Sequence, residues 1–177
     1  NAGYPAPQFS IHRGDLHAVL LDACRSRIGA DRIIAGWRCT RVEDGGHGAT
    51  AYFQNSETGA DLPAQTGRAV IGCDGINSAV RKQLYPDEGE PLYSGVNMWR
   101  GVTRWPPFLT GAAMTRAGWI ATGKMVIYPI RDNIDADGRQ LVNWVAEVET
   151  PVYKRRDWNR PGNIEDFIGH YADWHFD

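Results

Sequence analysis

After a loop carrying Pro5 and Pro7, the apolar residues Leu16, Val19, Leu20, Ala23 and Cys24 recur at helical steps. That spacing predicts a helix over 14–28 with one apolar face, ended by Gly29. The period then shortens to two. Residues 32–43 are rich in Ile, Val, Trp and Thr, a turn follows at Asp44-Gly45-Gly46, and Ala49, Ala51 and Phe53 alternate with Thr50, Tyr52 and Gln54. This pattern predicts a hairpin. A second turn near Glu57-Thr58-Gly59 precedes 68–73, a largely apolar run typical of a strand buried on both faces. Asp74-Gly75 closes that run, and Ala79, Val80 and Leu84 behind Asn77 and Ser78 predict a second helix directly after it.

From Gly89 onward the pattern is one of strands without helices, over 92–104, 118–122, 125–130 and 140–148, read as an antiparallel meander. Six of the seven tryptophans (99, 105, 119, 144, 158 and 174) lie in this half. A boundary is therefore expected near 87–90. Residues 151–162 read as a polar connector, and 163–176 as an amphipathic helix. The fold class expected is α/β in the broad sense, α+β in detail. Its parts are 1–88, an antiparallel sheet over 89–153, and a connector with the start of a return helix over 154–177.

The 177 residues suffice for one domain or for one domain and part of another. Nineteen Lys and Arg against 21 Asp and Glu give a net charge of -2 without a basic block, which disfavours nucleic acid as a partner. The three cysteines, Cys24, Cys39 and Cys73, form no Cys-x-x-Cys pair and read as buried thiols of a reducing compartment. No apolar run approaches the ~20 residues of a membrane span, so a cytoplasmic protein without a membrane partner is expected. The chain begins at Asn1 and its pattern stops within a helix, which reads as a piece of a longer protein.

Gly46-His47-Gly48-Ala49-Thr50-Ala51 fits the dinucleotide pattern G-x-G-x-x-G/A, but the residues after it alternate as a strand, so it reads as a hairpin turn. The strand-turn-helix over 68–84 is the stronger candidate. It would bring Asp74 to a strand end, with Gly75 allowing close backbone approach and Arg81 in reach of that Asp or of a phosphate, a geometry that fits a nucleotide cofactor. The same pattern also fits a plain turn in which Asp74 caps the helix and Arg81 is a solvated charge. His12 with His17 and His170 with His175 are five apart, which is wrong for helical metal ligands, and no G-x-S-x-G elbow exists. No metal site and no nucleophilic hydrolysis are expected.

Gly72-Cys73-Asp74-Gly75-Ile76-Asn77-Ser78-Ala79-Val80-Arg81 resembles the motif G-A-D-G-x-x-S-x-V-R of FAD-dependent aromatic hydroxylases, the p-hydroxybenzoate hydroxylase-like monooxygenases, departing only at Cys73. His12-Arg13-Gly14-Asp15-Leu16 matches that family's H-R-x-x-L about sixty residues upstream. Trp99-Arg100-Gly101 is similar to the W-R-G that begins the substrate-domain sheet in the salicylate and 3-hydroxybenzoate hydroxylase branch, and Tyr128-Pro129 to a later Y-P step. The family's opening G-x-G-x-x-G strand and its closing G-D motif have no counterpart in the chain.

The resemblance implies a central fragment: part of an FAD-binding domain over 1–88 and a substrate-binding antiparallel sheet over 89–153. It implies that Arg13, Asp74 and Gly75 contact FAD and that Arg81 supports the same site. It implies NAD(P)H as co-substrate, with dioxygen and a small aromatic substrate such as a hydroxybenzoate; the isolated chain is expected to be inactive. Lys124 and Tyr128, four apart on a strand, share a face on which an ammonium and a phenol could orient an aromatic acid, with Trp99, Met125 and Ile127 as walls. Read the other way, Tyr128 and the tryptophans are sheet core and Lys124 faces solvent. The family carries His where Lys124 stands. No residue is assigned as a catalytic acid or base, since the cofactor does the chemistry. An epoxidase, halogenase or reductase sharing the Asp-Gly motif, and a non-catalytic binding fragment, remain alternatives. The oligomeric state is open.

Overall fold

The computed structural model describes residues 3, 5, 6, 8–151 and 161–175. They form two compact units, one of Asn1–Leu20 with Leu92–Asp177 and one of Leu21–Pro91. The fold is a mixture of helix and antiparallel sheet. Helix α1 (Arg13–Ile28) begins in the first unit and ends in the second. Gly29, at φ 92°, stops it as expected, and its amide bonds the Arg25 carbonyl. Helix α1 has no buried residue, and Val19 and Leu20 of its expected apolar face are 62% and 56% exposed.

In the Leu21–Pro91 unit, strands β1 (Trp37–Asp44), β2 (Ala49–Asn55) and β3 (Asp61–Gly67) pair antiparallel in chain order. Residues 30–32 are a 3-10 turn, and Gly36, at φ 77°, delays the strand expected from 32 until Trp37. The glycine-rich segment is the β1–β2 turn, closed by the Gly45 amide on the Gly48 carbonyl at 2.7 Å. Helix α2 (Ala79–Leu84) follows Ser78 as expected and docks on β1 through Gln83, whose side chain bonds both the amide and the carbonyl of Val42.

Residues 68–73 depart from expectation. They join no sheet, and Ile71 is 85% exposed. A strand buried on both faces needs neighbours on both sides, and no described strand pairs with this run. The strand of this region is instead β3, an exposed edge whose Pro63 sits where the pairing with β2 shifts register, as edges and bulges allow. Of the cysteines expected to be buried, Cys24 and Cys73 are exposed and Cys39 is half-buried. Burial pushes the Cys39 thiol up, with Asp74 adding to the effect.

The other unit is built on β4 (Val96–Trp105), β5 (Thr115–Trp119), β6 (Gly123–Arg131) and β7 (Gln140–Glu149), all antiparallel in the order β4-β7-β6-β5. Only β5 to β7 form a meander; β4 closes against β7. One face carries the core, in which Ala146 and Val148 are covered by Phe167 and Tyr171, with Trp99, Met125, Trp144 and Trp174 around them. The covering segment is not the amphipathic helix expected over 163–176. It is a pair of 3-10 turns, Ile164–Asp166 and Ile168–His170, because Phe167 and Tyr171 leave helical geometry where their rings meet the sheet. The Tyr171 hydroxyl lies 3.0 and 2.9 Å from the Lys124 and Glu147 carbonyl oxygens, and burial pushes its pKa up. The connector expected over 151–162 falls at 152–160 outside the described residues.

Candidate functional site

The sequence-predicted cofactor residues Asp74 and Gly75 lie in the turn before α2, and the side chain of Arg81, within α2, reaches back to it. Asp74 accepts the Ser78 hydroxyl at 2.5 Å on Oδ1, and the Ala79 and Val80 amides at 2.8 and 3.3 Å on Oδ2. These bonds, that of Ser78 foremost, hold its carboxyl below the usual carboxylate range. The Ser78 hydroxyl oxygen accepts the Arg81 amide at 2.9 Å, as the helix cap. Arg81 does not bond Asp74. Its guanidinium donates to the Gly75 and Ile76 carbonyls and, at 2.8 Å, to Glu88, so it clamps the turn. Gly75, at φ 78°, has no atom within 4 Å of the place a Cβ would take, which leaves its backbone open to a ligand's approach.

The remaining predicted residues belong to the four-stranded sheet. Directly paired residues of antiparallel strands share a face. The pairs Tyr128↔Asn143, Lys124↔Glu147 and Arg100↔Val145 therefore put these side chains on the face opposite the aromatic core. They line an open cavity of about 660 Å³, together with Arg116 of β5 and with His12 and Arg13 at the start of α1. That volume suits a small organic ligand. Trp99 lies on the other face, its ring 5.5 Å from that of Phe167, and Met125 packs in the same core, so neither lines the cavity. Being one residue out of step with Lys124 and Tyr128 in the two-residue period puts Met125, and Ile127 with it, on the far side.

The position of Arg13 is fixed by its neighbours. The His12 amide bonds the Ile130 carbonyl at 2.8 Å, and Asp15 takes both Nε (2.8 Å) and Nη2 of Arg131. The Arg131 guanidinium holds the Asp15 carboxyl below its usual range. Inside the cavity, Lys124 Nζ lies 2.5 Å from Glu147 Oε2, a half-buried pair, so the ammonium read as an anion anchor already has one. Arg13 and Arg116 have no ion-pair partner among the described residues. Asn143 Nδ2 is fully buried without a hydrogen-bond partner among the described residues, an arrangement that costs about 1–3 kcal/mol when left unanswered.

Sequence reasoning missed Arg116, Asn143 and Glu147. The signal was present in Asn143, a lone amide in the apolar run 141–146, and in its parity, which register alone connects to Tyr128.

Along almost all of its length the chain is homologous to aromatic-ring hydroxylases and monooxygenases. It is 35% identical over 178 aligned residues to a phenazine 1,6-dicarboxylic acid hydroxylase of Lysobacter antibioticus, an alignment covering 99% of this chain and 44% of that protein. It is 30% identical to a 3-amino-4-hydroxybenzoate 2-monooxygenase of Streptomyces platensis, over 98% of this chain and 40% of the relative. A 6-hydroxynicotinate 3-monooxygenase of Pseudomonas fluorescens is 35% identical over 61% of this chain and 25% of its own length. The chain thus spans less than half of the curated relatives it matches. No protein-family model matches it. The resemblance read from the Asp-Gly and H-R-x-x-L motifs agrees with these relatives.

Proposed function

We propose that these residues are part of an FAD-dependent monooxygenase that uses NAD(P)H and dioxygen to hydroxylate a small aromatic carboxylic acid. The alignment over 99% of the chain with a hydroxylase of an aromatic dicarboxylic acid carries this reading. The cavity supports it, since cationic and hydrogen-bonding side chains lie on an otherwise apolar sheet face, the lining expected for an aromatic anion.

FAD fits the Asp74-Gly75 turn by two features: the open backbone at Gly75 and a carboxylate held ionised, able to accept hydroxyl protons. Asp74 and Gly75 would hold it, and Arg81 would keep the turn in shape. When bound, FAD supplies the redox chemistry, taking a hydride from NAD(P)H and activating dioxygen. The residues of the sheet bind and orient the ring, and the apolar members of the face, Val126 and Val145, keep water from it. On this reading, 1–88 is part of an FAD-binding domain and 89–153 is the substrate-binding sheet.

The test uses the full-length protein. It is expected to copurify with FAD and to oxidise NAD(P)H faster when an aromatic carboxylate is added, giving a product heavier by one oxygen atom by mass spectrometry. No stimulation by hydroxybenzoates, hydroxynicotinate or phenazine carboxylates would overturn the reading.

A further inference from the structure

We infer that Asn143 is a specificity-determining residue, whose buried side-chain N–H donates a hydrogen bond to the carboxylate of the aromatic substrate. This rests on the hydroxylase reading of the cavity and deepens it. Three observations carry it. First, Asn143 Nδ2 is buried and makes no hydrogen bond among the described residues, although a folded chain nearly always pairs such groups. Second, register sets Asn143 directly opposite Tyr128 on the cavity face, and Asn143 lines that cavity, so a turn of its side chain would bring the amide to an acceptor held there. Third, the surroundings select an anionic acceptor. Arg116 lines the same cavity without a carboxylate partner among the described residues, while the Glu147 charge is matched by Lys124 at 2.5 Å. An anion entering the cavity therefore meets an unmatched cation and an unused donor, and a carboxylate has oxygens for both.

The inference separates from a structural role by its effect on stability. A structural asparagine has partners to lose, and replacing it with leucine of similar size lowers the unfolding midpoint. An unpartnered amide has none, and the same replacement leaves the midpoint unchanged or higher.

The experiment compares the full-length protein with its Asn143→Leu and Asn143→Asp variants. Calorimetry reads the binding of 3-hydroxybenzoate, 6-hydroxynicotinate and phenazine-1,6-dicarboxylate, and of 3-hydroxybenzyl alcohol as the neutral counterpart. Asn143→Leu is expected to weaken the best-bound acid by about ten- to a hundredfold, the loss of one hydrogen bond to a charged group, and the alcohol by less than about twofold. Asn143→Asp places a like charge at the same atom and is expected to abolish acid binding while keeping the alcohol. Equal losses for acid and alcohol, no loss of acid, a lowered unfolding midpoint for Asn143→Leu, or a wild type that binds none of the acids would each overturn the inference. Acid binding that depends on Asn143 without any acid-stimulated NAD(P)H oxidation would uphold it and overturn the hydroxylase reading instead.

Discussion

Asp15, in the first turn of α1, makes paired bonds with Arg131 at the end of β6. Its carboxyl titrates lower in the fold than in the unfolded chain, so the contact stabilises the fold above the ordinary carboxylate range and is lost as pH falls through the folded value. Asp15→Asn is therefore expected to flatten the acid limb of the stability profile below about pH 4, read by denaturant midpoints across pH. Acid limbs that superimpose with wild type would exclude the pair as a contributor. Individual residues were only partly legible in the sequence. That Asp74 and Ser78 lie at a helix start could be read from their types, and both sit there. The grip of Arg81 on two carbonyls and the pairing of Lys124 with Glu147 could not, because side-chain partners are chosen by tertiary approach.

Among the elements, β4 pairs with β7 at Gly101↔Trp144, and the Trp144 ring lies over Gly101. A Cβ there would stand 2.3 Å from the indole, so only glycine lets the tryptophan cover the strand. Gly101→Ala is expected to destabilise the protein by about 1–3 kcal/mol, the range for overpacking, as a lowered denaturant midpoint with an altered tryptophan emission. An unchanged midpoint would mean that the ring moves aside freely. The glycine of the Trp-Arg-Gly motif thus has a packing reason. Strands with two-residue alternation, and both helices, were legible because local period decides them. What failed was decided elsewhere: β3 hides behind Pro63 at a register shift, 68–73 lacks neighbours to pair with, and the aromatic segment after Asn163 trades helix for contact with the sheet.

At the scale of the molecule, apolar residues are covered unevenly. The four-stranded sheet has an aromatic lid, whereas α1 presents Val19 and Leu20 to solvent. Val19→Lys with Leu20→Lys is expected to leave the stability of the 177-residue chain within about 0.5 kcal/mol, as for exposed sites, while reducing dye binding to apolar surface and light scattering. A fall in the unfolding midpoint would show that this face is packed. The four-stranded sheet carries a different consequence. Its two faces are written on alternate letters of the same strands: 98, 100, 124, 128, 143 and 147 toward the cavity, 99, 125, 144, 146 and 148 toward the aromatic lid. Ligand preference and folding are thereby addressed by separate sets of codons. A lineage, or a mutagenesis library, can rewrite the first set in search of a new aromatic acid while the second keeps the sheet intact, and a one-residue deletion in β7 would scramble both at once.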